Sequence, residues 1–135
     1  MIPLFDHSDI VKRWAEPRLN TVIAEPAYGM GLVNRAGQLC TAAIYNAYEA
    51  RNVELTYVGT LLPGIARMVF SYAFNHLECL RISVTVPADH VEHLDQAQRW
   101  GWVIEGRKRN YYGEGQDAVI LGMLREECWI LRHGS

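Results

Sequence analysis

The sequence predicts an α/β (α+β) fold in which helices flank a mixed β-sheet, and three observations indicate it. Val53–Val58 and Arg81–Val86 alternate between apolar and polar residues, as half-buried strands do. The segment between them, from Leu62 to Leu77, has apolar residues at helical spacing. A strand–helix–strand unit of this kind pairs its two strands in parallel.

The length of 135 residues suits one domain, which we expect to span residues 1–135 with a short helical lead-in over residues 1–27. The lead-in helix is expected to begin at Ser8, a favourable N-cap, and an irregular stretch is expected between Pro17 and Pro26. A three-stranded meander follows. Its predicted strands are Tyr28–Asn34, Gln38–Ala47 and Val53–Val58.

The second half of the chain alternates helices and strands. After the strand Arg81–Val86, Asp89 is the expected N-cap of another helix, and Glu92 completes a capping-box pattern. The expected buried stripe of that helix consists of Val91, Leu94 and Ala97. Two further strands are predicted, Trp102–Tyr111 and Ala118–Leu124. The predicted order after the lead-in is therefore β-β-β-α-β-α-β-β.

Composition and charge disfavour several classes of partner. A formal net charge of −2 gives no general attraction to nucleic acid or to an anionic membrane. No segment approaches the roughly 18 apolar residues of a membrane-spanning helix, and the first ten residues lack the order of a signal peptide. The 3 cysteines are widely spaced and odd in number, which is typical of free thiols in a reducing compartment. We therefore expect a cytoplasmic protein with no membrane partner.

A series of short motifs in the second half follows the order found in one enzyme family. The motifs are Tyr72-Ala73-Phe74, Arg81-Ile82, the helix from Asp89, Gly101-Trp102, Glu105-Gly106-Arg107, Asp117, and Gly122–Glu127. Together they resemble the ribosomal-protein-alanine acetyltransferase branch of the Gcn5-related N-acetyltransferase (GNAT) superfamily. The chain is also similar to the short GNAT-type proteins that phages and prophages encode.

This resemblance implies a GNAT-like, mostly antiparallel central sheet with a splayed parallel strand pair and flanking helices. It also implies transfer of an acyl group, usually acetyl, from acetyl-CoA to an amine on a small molecule or a protein. Glu54 is the implied general base, and His90 lies where it could act as acid or base. The implied cofactor-binding residues are Tyr57, Val58, Gly59, Thr60, Leu61 and Gly64.

The chain departs from the family pattern at three places. The segment Val58–Gly64 is short, and it lacks both the basic residue and the glycine spacing of the family loop. Ala97 occupies the position of a tyrosine that serves as acid in many members, and His90 replaces a common asparagine. The alternative is a GNAT-fold module that has lost catalysis and has a binding or structural role. The sequence leaves open whether it forms a homo-oligomer.

Each candidate functional residue also has a purely structural interpretation. Glu54 is alternatively a solvated edge carboxylate, and His90 is alternatively an exposed residue of a first helical turn. His90 and His93 share a helix but have no third metal ligand in motif spacing, so no metal site is predicted. The basic and aromatic run from Arg107 to Tyr112 is either a solvated hairpin or a surface for an acidic substrate, the cofactor 3′-phosphate or nucleic acid.

Overall fold

The computed structural model describes residues 2–133, except the side chain of His133. The chain divides into two compact units, one ending at Leu62 and one beginning at Pro63. The N-terminal unit contains β1 (Ile2–Leu4), α1 (Ser8–Leu19), β2 (Ala27–Val33), β3 (Leu39–Glu49) and β4 (Asn52–Val58). The C-terminal unit contains α2 (Pro63–Ser71), a π-helical turn (Tyr72–His76), β5 (Arg81–Pro87), α3 (Val91–Arg99), β6 (Val103–Gly113), β7 (Gln116–Leu124), a 3-10 turn (Arg125–Glu127) and α4 (Trp129–His133).

In the N-terminal unit, β1 to β4 pair in sequence order and every pair is antiparallel. Helix α1 buries Val11 and Ala15, one helical turn apart, against Ala42 and Ile44 of β3. Gly29 of β2 permits this close packing, because a Cβ there would lie 3.0 Å from Val11 Cγ1. The meander predicted from alternation is thus confirmed.

The lead-in differs from the prediction in two respects. Strand β1 was not expected, and α1 continues through Pro17 instead of giving way to an irregular stretch there. Pro17 removes one backbone hydrogen-bond donor, and this loss is confined to the last turn of the helix. Helix α1 ends three residues later at Asn20, a left-handed C-cap with a φ of 53°. Arg18 Nη1 also donates to the carbonyl oxygen of Trp14 at 2.8 Å. Burial of the apolar face of α1 therefore outweighs the local cost of the proline.

In the C-terminal unit, β7 is the middle strand and pairs antiparallel with both β5 and β6. Helix α2 buries Ala66, Val69 and Phe70, and the Phe70 ring meets Trp102 edge-on with 5.8 Å between centroids. Most of β6 is exposed, as expected of a strand that pairs with β7 alone within this unit.

Helix α3 corrects two sequence predictions. Its N-cap is His90, which makes no side-chain capping hydrogen bond, so the predicted capping box at Asp89 is wrong. The reason is a turn closed by His90 N donating to Pro87 O at 3.1 Å, which places Asp89 one residue too early. The predicted buried stripe is also wrong, because no residue of α3 is buried and Val91 is 60% exposed.

None of the helices described between residues 2 and 133 combines the length with the apolar composition needed to cross a bilayer.

Candidate functional site

The end of β4 is shaped by Gly59, the first residue after the strand. Its φ of 109° is a backbone conformation that side chains disfavour. A Cβ at this position would lie 2.7 Å from Thr41 Cγ2 and 3.3 Å from the carbonyl oxygen of Cys40. The turn therefore packs directly on β3, and only glycine fits without displacement of Thr41.

Tyr57 holds Thr60, the residue after Gly59, in place through a hydrogen bond. Its hydroxyl donates to the carbonyl oxygen of Thr60 at 3.2 Å. Burial raises the pKa of the Tyr57 phenol, while a side-chain hydrogen bond with Thr41 acts in the opposite direction. Thr41 is itself only 7% exposed; its hydroxyl bonds Tyr57, and its methyl lies beneath the Gly59 turn.

Three successive N–H groups are left available after β4. Those of Gly59, Thr60 and Leu61 donate no hydrogen bond to any residue in the described range 2–133. Because the Thr60 carbonyl faces the Tyr57 hydroxyl and the peptide is trans, the Leu61 N–H points the opposite way. Consecutive free N–H groups of this kind are typical of anion-binding turns.

Glu54 lies on β4 directly opposite Asn46 of β3. It shares its face of the sheet with Ala42 and Ile44, the residues on which α1 packs. The carboxylate is half-buried and accepts no hydrogen bond within the described part of the chain. The Asn46 side chain beside it donates to the carbonyl oxygen of Ala24 at 3.3 Å. A half-buried carboxylate with free acceptor sites is suited to receiving a proton.

Two candidate residues lie in the C-terminal unit. Gly64 is the second residue of α2, and a Cβ there would meet nothing within 4 Å. Its backbone N–H belongs to the first turn, where helices leave donors unpaired. His90 is exposed; its Nε2 lies 3.9 Å from Asp89 Oδ1, and its ring lies edge-on to His93 with 5.3 Å between centroids.

Thr41 is the site residue that sequence reasoning missed. It is a polar residue within the otherwise apolar run of β3, and it proves to be buried beneath the Gly59 turn. A lone threonine in an apolar strand was the available signal. Its partners, however, depend on strand register, which the sequence did not specify.

The metal-binding side chains and the buried thiols of the described residues do not form a second reactive centre. No three metal-binding side chains converge anywhere in the part of the chain that the structure describes. Cys79 and Cys128 are buried, and burial raises the pKa of the Cys128 thiol. Both cysteines are therefore packed as apolar side chains.

No protein-family model and no curated protein matches the sequence. Solved structures do match. A mutant form of the spermidine/spermine N-acetyltransferase SpeG from Vibrio cholerae has a TM-score of 0.69 at 13% sequence identity, over 92% of this chain and 77% of that chain. A chimera of the same enzyme with hSSAT also has a TM-score of 0.69 at 13% identity, over 93% and 81% of the two chains.

Another match is to a structure titled probable acetyltransferase, with a TM-score of 0.63 at 21% identity over 87% of this chain and 69% of that chain. Likeness at these identities shows the fold alone. The resemblance to the ribosomal-protein-alanine branch and to phage-encoded relatives stays a prediction. The predicted fold class, a mixed and mostly antiparallel sheet flanked by helices, is confirmed. The chain has the GNAT fold.

Proposed function

We propose that this protein is an acyl-CoA-dependent N-acyltransferase that transfers an acyl group, most simply acetyl, to an amine. The observation that carries the proposal is the run of free N–H groups after β4, on a fold shared with solved acetyltransferases. A pyrophosphate needs such donors, and a half-buried carboxylate lies on the same strand.

In this proposal the cofactor pyrophosphate accepts hydrogen bonds from the N–H groups of Gly59, Thr60 and Leu61. Tyr57 holds the Thr60 carbonyl and so keeps the peptide in the orientation that leaves the Leu61 donor free. Glycine at position 59 supplies the turn, and no side chain there blocks the approach of an anion. Val58 contributes backbone at the end of the strand.

Glu54 would accept the proton that the attacking amine must lose, directly or through a water molecule. Within the described residues it has no hydrogen-bond partner, so both carboxylate oxygens are available for this role. The solved neighbour SpeG is named as a spermidine N-acetyltransferase, so a polyamine is the first acceptor to test. His90 and Gly64 stay predictions of the resemblance.

Binding of acetyl-CoA tests the cofactor half of the proposal. The loop has no basic side chain, and Pro63 offers no N–H, so two charge-assisted hydrogen bonds of a fuller loop are missing. At about 1.5–3 kcal/mol each, their absence predicts a Kd of about 0.1–1 mM or weaker in place of a micromolar value. We expect acetyl-CoA to shift the amide NMR signals of Gly59, Thr60 and Leu61. No shift up to about 10 mM ligand would remove the enzyme proposal.

Substitution of Glu54 tests the chemical half. Glu54→Gln keeps the shape and removes the base, so we expect acetyl transfer to spermidine to fall about 10²-fold near neutral pH. Stability should change little, because the carboxylate is half-exposed and has no partner among the residues that the structure describes. Glu49→Gln, the same change at an exposed position of β3, is the matched control. Equal turnover in the Glu54 and Glu49 variants would exclude Glu54 as base.

The second candidate is the catalytically degenerate binding module. It is favoured by the same missing donors and by Ala97 at the position of the family acid. Cofactor binding without measurable turnover on any amine would support it over the enzyme.

A further inference from the structure

The hairpin of β6 and β7 holds an open polar recess lined by Arg107, Arg109, Asn110 and Asp117. It lies entirely within the C-terminal unit. Two arginines and one carboxylate line it, so its lining carries a net charge of about +1 at neutral pH.

Both oxygens of the Asp117 side chain accept a hydrogen bond inside the hairpin. Its Oδ2 accepts from Arg107 Nε at 2.8 Å, and its Oδ1 accepts from Asn110 N at 2.9 Å. Asn110 is in a left-handed conformation with a φ of 55°, and its Oδ1 accepts from Gly115 N at 2.8 Å. The hairpin thus holds one carboxylate whose two oxygens are both engaged.

The side chains that line the recess offer more hydrogen-bond donors than acceptors. Arg109 donates no hydrogen bond within the described residues, and its guanidinium is close enough to Asp117 to contribute to lowering the pKa of that carboxyl, after Asn110 N and Arg107. Arg107 uses only Nε on Asp117, which leaves its terminal N–H groups. The Asn110 side-chain N–H₂ likewise makes no hydrogen bond to the residues that the structure describes, whereas its oxygen is bonded. What the recess lacks is an acceptor for these donors.

We propose that this recess binds one oxyanion group, a phosphate or a carboxylate, of a small ligand. A planar guanidinium presents two parallel N–H groups that match such an oxyanion, and Asn110 adds a neutral donor. A single oxyanion fits better than a nucleic-acid strand because Asp117 repels a second phosphate. The recess also has only one arginine, Arg109, without a partner in the described chain.

The site is tested on the full chain with inorganic phosphate as the probe, in a phosphate-free buffer at an ionic strength of about 0.15 M, where charges outside the site are screened. The amide NMR signals of Asn110 and Gly115 report binding at the recess. We expect saturable binding by the wild type, and a loss of about 10-fold or more in affinity in Arg109→Gln, which removes one charge-assisted fork. Arg109 makes no hydrogen bond within the described chain, so this variant should keep the fold.

The matched control is Lys108→Gln, which removes the same charge one residue away. Lys108 does not line the recess, and its Nζ lies 4.9 Å from the centroid of the Tyr111 ring. We expect its affinity for phosphate to change less than about twofold, as for a charge outside the site. Titration with glutarate and with phosphoethanolamine then distinguishes a carboxylate source from a phosphate source.

Three outcomes would overturn the proposal. Absence of saturable phosphate binding would leave the recess without a ligand. Equal loss in the Lys108 and Arg109 variants would indicate general charge attraction. Much tighter binding of a short single-stranded oligonucleotide, with a steep dependence on salt and an equal need for all three basic residues, would make the hairpin a nucleic-acid surface.

Discussion

Replacement of Gly59 by alanine perturbs the turn that the proposed cofactor site requires. The residue has a φ of 109°, and the added methyl would lie 2.7 Å from Thr41 Cγ2. Strain and collision therefore act together at one position. Gly37 has a φ of 78°, and a Cβ added there would meet nothing within 4 Å, so Gly37→Ala suffers strain without collision.

The two effects can be given magnitudes. Left-handed strain costs about 2 kcal/mol for a non-glycine residue, and overpacking against a buried side chain costs about 2 kcal/mol more. Alanine also reduces the entropy of the unfolded chain, which offsets about 0.7 kcal/mol. We therefore expect Gly59→Ala to lower the free energy of unfolding by about 3 kcal/mol, and Gly37→Ala by about 1 kcal/mol.

Urea denaturation of the full chain, followed by circular dichroism, measures both losses. Thr41→Ser provides a suppressor, because it removes the colliding methyl and keeps the hydroxyl that bonds Tyr57. Alone, it should cost about 1 kcal/mol for a lost buried methyl; with Gly59→Ala, it should cost nothing or restore stability. Equal losses in the Gly59 and Gly37 variants, or additive behaviour of the Thr41 change, would refute the collision.

Two further predictions concern the C-terminal unit. Gly101→Ala should lower the free energy of unfolding by more than about 4 kcal/mol, because the added Cβ would lie 1.8 Å from the carbonyl oxygen of Glu127. Thermal unfolding will show whether this variant folds at all. The pKa of Asp117 is lowered in the folded state, first by the hydrogen bond from Asn110 N and then by Arg107. The Asp117 carboxylate therefore stabilises the fold above its unfolded-state pKa of about 3.9. This stabilisation is lost as pH falls through the folded-state pKa. The urea midpoint should accordingly drop more between pH 6 and pH 3 in the wild type than in Asp117→Asn, and identical pH profiles would contradict this.

Strands β2 to β7 and helix α2 were predictable because burial imposes a period on the sequence. Val53 and Leu55 are buried while Glu54 between them is half-exposed, as the alternation indicated. Helix α3 was mispredicted by the same logic. Its apolar residues have helical spacing, yet no residue of that helix is buried. Periodicity shows which residues share a face, but it does not show whether that face is covered.

The candidate site was predictable only in part. The place of Glu54 on the polar face of β4 followed from the alternation of that strand. The role of Thr41 did not follow, because it depends on the register between β3 and β4. The saturation of Asp117 was equally hidden, since it requires the irregular pairing of β6 with β7 between Lys108 and Gly113.

The missing loop motif carries less weight against cofactor binding than its absence from the sequence suggests. Family motifs record side chains, whereas a pyrophosphate is bound mainly by backbone N–H groups, which every residue except proline provides. What matters physically is that the N–H groups are free and held in orientation. Here Gly59 sets the turn and Tyr57 holds the Thr60 carbonyl, so the donors at Thr60 and Leu61 are available without the family glycines. The deficit that remains is quantitative: because Pro63 has no N–H and the loop has no basic side chain, we expect the proposed cofactor binding to be weakened and not abolished.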